Sequence, residues 1–239
     1  LWKKMRKWCL DGFKKTYKDY GLKIDKEYYE SEIYKEGKKI IDEGLAKSLF
    51  EKDETGAILA DLESKGLGKK ILMRKDGTSI YITQDMYLAK KRYEDFHMDR
   101  MIYVVGNEQI HHFKVLFELF KLLDYSFASK CFHLSYGMIE LPEGKMKSRE
   151  GNVVDADRIR TEMIELALEE IKERYPKLNV KEKKKRAEII GIGALKFFVL
   201  KYGREKDFVY NPKESISFQG ETGPYVQYAH AIICSVLKK

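Results

Sequence analysis

Several features that define common protein classes are missing from this sequence. Its three cysteines (Cys9, Cys131 and Cys234) lie far apart with no Cys-x-x-Cys pair, which excludes a disulfide framework and a zinc site of the usual spacing. This cysteine usage favours a reducing compartment, and we expect the cytoplasm. No apolar run approaches the ~20 residues that cross a bilayer, and we recognise no signal peptide. Internal repeats and low-complexity linkers are absent as well.

The 239 residues have the composition of a globular protein of one or two domains. Hydrophobic residues make up 44% and charged residues 35% of the chain, and 46 basic against 38 acidic residues give a net charge of +8. A positive balance indicates a polyanionic partner, but a heavily charged, solvated surface explains it equally well. The chain begins at Leu1 without a methionine, and we expect it to be part of a longer protein.

The first hundred residues predict helices and short strands. Residues 1–20 form an amphipathic pattern that Gly21 ends, suited to packing on its own domain, to RNA or to a membrane. Another helix is predicted over 31–49. Thr83 is expected to N-cap a helix that ends near Phe96. Short apolar runs between turns predict strands at 49–52, 57–62, 71–74 and 79–82, the first two paired as a hairpin.

The middle of the chain predicts a βαβ unit. The apolar run 101–105 has the pattern of a strand buried on both faces, Gly106 turns the chain, 108–123 is amphipathic, and 132–141 is a second strand. Further helices are predicted over 155–174, 181–203 and 222–239, with Pro224 in the first turn of the last. We therefore expect parallel strands followed by a helical region.

A cationic loop follows the strand 132–141. It reads Lys145-Met-Lys-Ser-Arg149, with glycines at 144 and 151 that let its backbone swing. Mobile cations at a strand end suit a polyphosphate, and they can stabilise the charge that appears on a departing pyrophosphate. Taken alone, the loop is explained as well by an exposed basic turn.

Four collinear stretches resemble one family. The loop resembles the KMSKS signature of class I aminoacyl-tRNA synthetases, and its context 137–154 is similar to that of the arginyl-tRNA synthetases. Stretches 76–85 (Asp-Gly-Thr-Ser-Ile-Tyr-Ile-Thr-Gln-Asp), 103–109 (Tyr-Val-Val-Gly-Asn-Glu-Gln) and 217–230 resemble the same family. The resemblance implies a reaction in which arginine is activated by ATP and passed to tRNA(Arg).

The resemblance assigns Tyr81, Asp85 and Gln109 to the arginine substrate. A carboxylate can bind a guanidinium with two hydrogen bonds, and an aromatic ring can lie against its face, so Asp85 and Tyr81 suit that substrate physically. Without the resemblance, Asp85 is explained by the first turn of its helix and Tyr81 by the core.

The resemblance also implies residues for ATP, for catalysis and for tRNA. Magnesium is expected to accompany the ATP, and no protein metal site is expected, although His111 and His112 alone could also be interpreted as metal ligands. The catalytic residues are Lys145, Ser148 and Arg149. ATP is expected at Gly106, His112, Gly137, Met138, Lys145, Met146, Lys147, Ser148 and Arg149. The tRNA backbone is expected at Lys196, Lys201, Arg204 and Lys206, whereas the basic run 181–186 is typical of a solvated helix face.

These expectations combine into an α/β fold class: the second half of a Rossmann-type parallel-sheet nucleotide-binding domain, with an α-rich insertion before it and an all-α region after it. The predicted divisions are an insertion at 1–70, the Rossmann half at 71–154, a tRNA stem-contact region at 155–214 and the first helix of an anticodon-binding domain at 215–239.

Three functional expectations accompany this fold. The family's His-x-Gly-His motif does not occur in these residues, so we expect the chain alone to be inactive. We expect a monomer. The alternatives are a non-catalytic tRNA-binding relative and a class I synthetase for another amino acid, and the acidic Asp85 favours a cationic substrate over the latter.

Overall fold

The computed structural model describes residues 1–140, 155–209, 217 and 220–238. The chain divides into two compact units. The first, here called the sheet unit, is Asp25–Tyr136, and the second, the helical unit, combines Leu1–Ile24 with Gly137–Lys239. The four divisions predicted from the sequence separate the chain by role, and they stay predictions.

The sheet unit begins with two helices and an antiparallel sheet. Helices α1 (Trp2–Tyr20, in the helical unit), α2 (Glu30–Ile33) and α3 (Gly37–Ala46) come first. Strands β1 (Phe50–Lys52), β2 (Ile58–Asp61) and β3 (Lys69–Met73) then pair in the order β1-β2-β3, which confirms the predicted hairpin. The single helix predicted over 31–49 is wrong. A turn at 34–36 divides it into α2 and α3. Gly37, the first residue of α3, lies against Thr83, and an added Cβ there would come within 3.1 Å of the Thr83 methyl carbon.

The predicted strand 79–82 and the predicted N-cap at Thr83 are also wrong. Helix α4 spans Tyr81–Phe96, with Ile80 as its N-cap, and only an isolated bridge between Met73 and Ser79 resembles a strand pairing. Thr83 is fully buried, and its hydroxyl donates to the Leu72 carbonyl oxygen. The β-branched residues of this stretch match a strand pattern, but the Thr83 hydroxyl fastens the first helical turn to β3 instead.

A parallel βαβ unit completes the sheet unit, as predicted, but the single strand predicted over 132–141 is wrong, because the second strand of the unit ends at Tyr136 and residues 139–140 pair with 208–209 instead. Strand β4 (Met101–Gly106) leads through a 3-10 turn (Asn107–Gln109) into α5 (Ile110–Leu122) and returns in β5 (Cys131–Tyr136), paired from Met101–Cys131 to Gly106–Tyr136. The predicted burial of 101–105 on both faces is wrong. Ile102 and Val104 remain 50% and 62% exposed, because α5 covers only one face of this sheet.

The helical unit is built from long helices with side-chain caps. Strand β6 (Ile139–Glu140) precedes α6 (Ala156–Arg174) and α7 (Val180–Lys201), and strand β7 (Phe208–Val209) precedes α8 (Gly223–Leu237). Asp155, Asn179 and Thr222 each accept a backbone N–H at the start of one of these helices. The three helices predicted beyond residue 155 are confirmed within about two residues at each end that the structure describes.

Helix α1 ends as predicted, at Gly21 in the left-handed conformation. Its last turns lie on α6: the Thr16 hydroxyl is 3.0 Å from an Asp157 carboxylate oxygen, and the Tyr20 hydroxyl donates to the Ala156 carbonyl at 2.7 Å. Packing on its own unit, one of three uses left open by the sequence, is therefore observed for this end of the helix. In the part of the chain that the structure describes, no helix is long and apolar enough to span a membrane.

Candidate functional site

The cationic loop lies outside the described residues. Lys145, Met146, Lys147, Ser148 and Arg149 fall within 141–154, so their predicted roles stay predictions. The described residues include the proposed amino-acid pocket in the sheet unit, residues Gly137 and Met138, and the candidate tRNA-binding cations of the helical unit.

Tyr81 and Asp85 are the first and fifth residues of α4. Residues four apart on a helix are neighbours on one face, about 5–6 Å apart at Cβ, so the two side chains can meet one ligand. The two structural alternatives do not fit. Tyr81 is 78% exposed and therefore outside the core, and Asp85 lies beyond the first turn, which contains no acidic residue.

Asp85 is held by a residue from another helix. His112 Nε2 on α5 lies 2.8 Å from Asp85 Oδ2, and the side chains are 25% and 40% exposed. An ionised carboxylate only accepts hydrogen bonds, so the histidine nitrogen is the donor. The carboxylate is thus anchored on one side and open on the other.

Gln109 is close to this pair along the chain. It ends the 3-10 turn Asn107–Gln109, forms the N-cap of α5 and is exposed. His112 follows it by three residues, which is one helical turn. Gly106, at the end of β4, leads into the same turn. Tyr81 and Asp85 on α4 and Gln109 and His112 at the start of α5 are linked by the Asp85–His112 contact, and these four residues are here called the pocket series.

The aromatic layer behind His112 is densely packed. The His112 ring lies edge-to-face with Phe113, at 5.5 Å between centroids, and Phe113 in turn packs on His133 at 4.3 Å and on Tyr103 at 5.0 Å. Burial, as the largest cause, raises the pKa of Tyr103 above its ordinary value, so this phenol stays neutral. The layer packs against His112 and supports its ring, and the Tyr103 phenol adds no charge to it.

Gly137 and Met138 are joined by hydrogen bonds to the segment 204–208. The Gly137 N–H donates to the Arg204 carbonyl at 2.8 Å, the Met138 N–H donates to Asp207 Oδ1 at 2.6 Å, and the Phe208 N–H donates to the Met138 carbonyl at 3.1 Å. Strands β6 and β7 continue this contact as a parallel pair. A Cβ at Gly137 would lie 2.2 Å from the Lys206 carbonyl oxygen, so the close approach requires glycine here.

The candidate tRNA-binding cations are all exposed. Lys196 and Lys201 lie on α7, and Arg204 and Lys206 lie in the segment that follows it. Lys201 Nζ lies 4.8 Å from the Phe198 ring centre and 5.1 Å from that of Tyr202, and Arg204 pairs with the neighbouring Glu205 at 2.7 Å. In the basic run 181–186, Lys183 caps the Pro176 carbonyl and Arg186 pairs with Glu182. The run thus forms local contacts expected of a solvated helix face.

Cys131 and the possible metal ligands among the described residues supply no further reactive site. Burial raises the pKa of the Cys131 thiol to about 11, so it is protonated at neutral pH. Among the residues that the structure describes, no group of three His, Cys, Asp or Glu side chains could hold a metal ion. His111 is exposed on α5, while its neighbour His112 binds Asp85.

Sequence reasoning missed two contacts of these sites. It assigned His112 to the nucleotide and did not predict its bond to Asp85, which lies 27 residues earlier in the chain. It also missed the carboxylate of Asp207 on the Met138 amide, 69 residues away. No local pattern could indicate either contact, because each depends on how two elements pack.

The chain is similar to one family of proteins. The family model described as "tRNA synthetases class I (R), catalytic domain" matches residues 1–212. Proteins named arginine–tRNA ligase from Parabacteroides distasonis and Treponema denticola are both 50% identical to this chain, over 241 and 239 residues respectively. Each match covers 100% of this chain and 40% of the relative, so the chain spans about two fifths of the length of the curated relatives it matches.

Solved structures share the fold. A Plasmodium falciparum arginyl-tRNA synthetase matches with a TM-score of 0.84 at 23% identity, over 100% of this chain and 40% of that one. The Thermus thermophilus arginyl-tRNA synthetase matches with a TM-score of 0.79 at 22% identity, over 94% and 44%. These two likenesses show that the chain shares the α/β fold of those structures.

Proposed function

Because the chain belongs to the class I arginyl-tRNA synthetase catalytic-domain family, we propose that the full-length protein containing it attaches arginine to tRNA(Arg). The arginine carboxylate attacks the α-phosphorus of ATP, the bond to the β-phosphate breaks, and pyrophosphate leaves. A hydroxyl of the terminal tRNA ribose then attacks the aminoacyl carbonyl carbon, and AMP leaves. The observation that carries this proposal is the exposed face of α4, on which Tyr81 and an anchored Asp85 stand one turn apart.

The pocket series supplies the chemistry that an arginine side chain requires. Asp85 offers a carboxylate that is partly exposed and held from behind, so it can accept two hydrogen bonds from a guanidinium fork. Tyr81 offers an exposed ring one helical turn away, and Gln109 offers an exposed amide. An anionic pocket of this kind favours a cationic amino acid over a neutral one of the same size.

The ATP-binding part rests on the family's pattern alone. That pattern implies Gly106, His112, Gly137 and Met138 among the described residues, and the loop residues 145–149 add the cations. Within this part, Lys145, Ser148 and Arg149 act as catalytic residues by stabilising the charge that develops on the leaving pyrophosphate. Their hydrogen-bond donors serve best where the negative charge grows between ground state and transition state.

Magnesium would accompany the ATP and neutralise part of the triphosphate charge. Magnesium in such sites is held mainly by substrate phosphates and water, with one or two protein carboxylates at most. The protein's own part is to hold the triphosphate with its cations.

The tRNA partner is assigned to the exposed cations Lys196, Lys201, Arg204 and Lys206. Contacts of Lys and Arg with phosphates are sensitive to salt and carry little sequence information. A tRNA substrate and three free cysteines fit action in the cytoplasm, and we expect the protein to act as a monomer.

Arginine-dependent exchange of pyrophosphate into ATP tests this function. The assay uses the full-length protein, with and without tRNA(Arg), and compares arginine with lysine and with citrulline, a neutral analogue of arginine. We expect exchange with arginine in the presence of tRNA and none with the other two. The 239-residue chain alone, which contains no His-x-Gly-His pattern, is expected to give no exchange. Equal exchange with another amino acid, or none with arginine and tRNA, refutes the proposal.

A further inference from the structure

His112 connects the two helices that carry the proposed arginine pocket. It lies on α5, three residues after Gln109, and its Nε2 reaches Asp85 on α4 at 2.8 Å. All of these residues belong to the sheet unit. The contact therefore joins Asp85, the carboxylate that would bind the guanidinium, to helix α5, whose N-cap is Gln109.

We propose that His112 is a positioning residue for the amino acid: it orients the Asp85 carboxylate for the guanidinium group and acts on arginine affinity rather than on the nucleotide. This inference rests on the proposed function, because it requires that Asp85 binds arginine. It gives His112 a role different from the nucleotide contact that the family's pattern implies.

The hydrogen-bonding capacity of the carboxylate allows both partners at once. Two carboxylate oxygens provide about four lone-pair positions. His112 takes one position on Oδ2, and a guanidinium fork takes one on each oxygen. The histidine therefore does not compete with arginine, while it limits rotation of the Asp85 side chain.

The exposure of the pair favours positioning over a role in stability. A hydrogen bond whose partners are 40% and 25% exposed competes with solvent and adds little to folding stability. Restricting the rotation of the Asp85 carboxylate before the ligand binds, in contrast, reduces the side-chain entropy that is lost on binding. The same exposure leaves the outer side of Asp85 accessible.

His112 is itself well supported. The adjacent Phe113 is buried and packs on both Tyr103 and His133, and the His112 ring lies edge-on against Phe113. A ring that is fixed in this way can hold its hydrogen-bond partner, the Asp85 carboxylate, in one orientation. His111, one residue earlier, is exposed and provides a matched control.

Steady-state exchange kinetics on the full-length protein test the inference with four variants. His112→Ala removes the donor, His112→Gln places an amide N–H near the position of Nε2, His112→Asn places one too short of it, and His111→Ala removes the neighbouring imidazole. Losing a hydrogen bond to a charged group predicts about a tenfold rise in the KM for arginine in His112→Ala. The KM for ATP and the melting temperature are expected to stay unchanged.

The conservative variants separate positioning from a structural role. His112→Gln should recover most of the arginine affinity, His112→Asn should not, and His111→Ala should behave as the wild type. In an Asp85→Asn background, His112→Ala should cause no further loss in arginine affinity. If His112→Ala does not fold, the comparison of the Gln and Asn variants gives the same information.

Four results would overturn the inference. A raised KM for ATP with an unchanged KM for arginine would return His112 to the nucleotide. A lower melting temperature with equal losses for both substrates, and no recovery in His112→Gln, would show a structural role. A wild-type protein without arginine-dependent exchange refutes the proposed function and this inference with it, whereas wild-type exchange with unaltered His112 variants refutes this inference alone.

Discussion

Replacing Asp85 with asparagine removes one charge from the pocket series while keeping the shape of the side chain. The amide oxygen can still accept a hydrogen bond from His112, so the packing of α4 on α5 should persist. A guanidinium that faces the asparagine of this variant would lose one ionic partner and meet an amide group that can donate. The variant therefore tests the charge of the pocket separately from its geometry.

The expected magnitude follows from the exposure of Asp85. Two unit charges 4 Å apart attract by about 4 kcal/mol at the effective dielectric constant of ~20 that suits partly buried pairs. Because the Asp85 side chain is 40% exposed, we reduce this to about 3 kcal/mol. At about 1.4 kcal/mol per tenfold change, the KM for arginine should rise on the order of a hundredfold.

The assay is tRNA-dependent ATP–pyrophosphate exchange with the full-length protein, titrated separately with arginine and with ATP. Glu94→Gln, which removes an exposed carboxylate from the same helix, is the matched control and should leave both constants unchanged. The preference for arginine over citrulline should also shrink in Asp85→Asn, because citrulline carries no charge. Equal losses for arginine and ATP, or an undiminished preference, would refute the reasoning.

Three other perturbations follow from the structure. Gly137→Ala would place a Cβ 2.2 Å from the Lys206 carbonyl oxygen and should lower the free energy of unfolding by about 1–3 kcal/mol. Gly12→Ala, in open space on α1, should raise the free energy of unfolding by up to ~1 kcal/mol. Denaturant titration measures both changes, and equal effects would contradict the assigned packing. Burial raises the Cys131 pKa to about 11 from its ordinary value of 9.0, so folding stability should decrease as the pH rises through that interval, and Cys131→Ala should remove this part of the pH dependence. Lys201→Ala and Lys206→Ala should each weaken tRNA binding and reduce the slope of log binding constant against log salt concentration by about one. Lys184→Ala, in the basic run 181–186, should change neither. Filter binding at several salt concentrations measures these effects, and a larger loss in Lys184→Ala would show that the run is the contact.

The parts of the fold that depend on local patterns could be predicted from the sequence. Helical periodicity with a glycine stop predicted α1, and apolar runs separated by a glycine turn and an amphipathic helix predicted the β4-α5-β5 unit. These elements need no information about distant residues, because the period of the side chains and the backbone freedom of glycine are properties of the segment itself.

The mistakes arose where packing decides the outcome. Threonine is a common N-cap residue, but the Thr83 hydroxyl donates its hydrogen bond to the Leu72 carbonyl oxygen because α4 lies against β3. The apolar run 101–105 predicted burial on both faces, and Ile102 and Val104 show that its second face remains exposed in this structure. Sequence patterns report which side chains can be buried, and only the assembled layers determine which are.

The candidate site divides in the same way. The resemblance led us to predict Tyr81, Asp85 and Gln109 for this site, and the need of a guanidinium for an anion agrees with Asp85, but these assignments stay untested predictions. The connection of Asp85 to His112 appeared only in three dimensions, since it joins two helices across 27 residues of chain. A site defined by sequence thus names the groups that touch a ligand more readily than the groups that orient them.

Transfer of labelled arginine to tRNA by the full-length protein tests the central claim most directly. The account predicts that tRNA(Arg), and no other tRNA, acquires labelled arginine in an ATP-dependent reaction, and that Asp85→Asn reduces the transfer at low arginine concentration but far less at saturation. An absence of labelled tRNA(Arg), or charging of tRNA with a different amino acid, would contradict it.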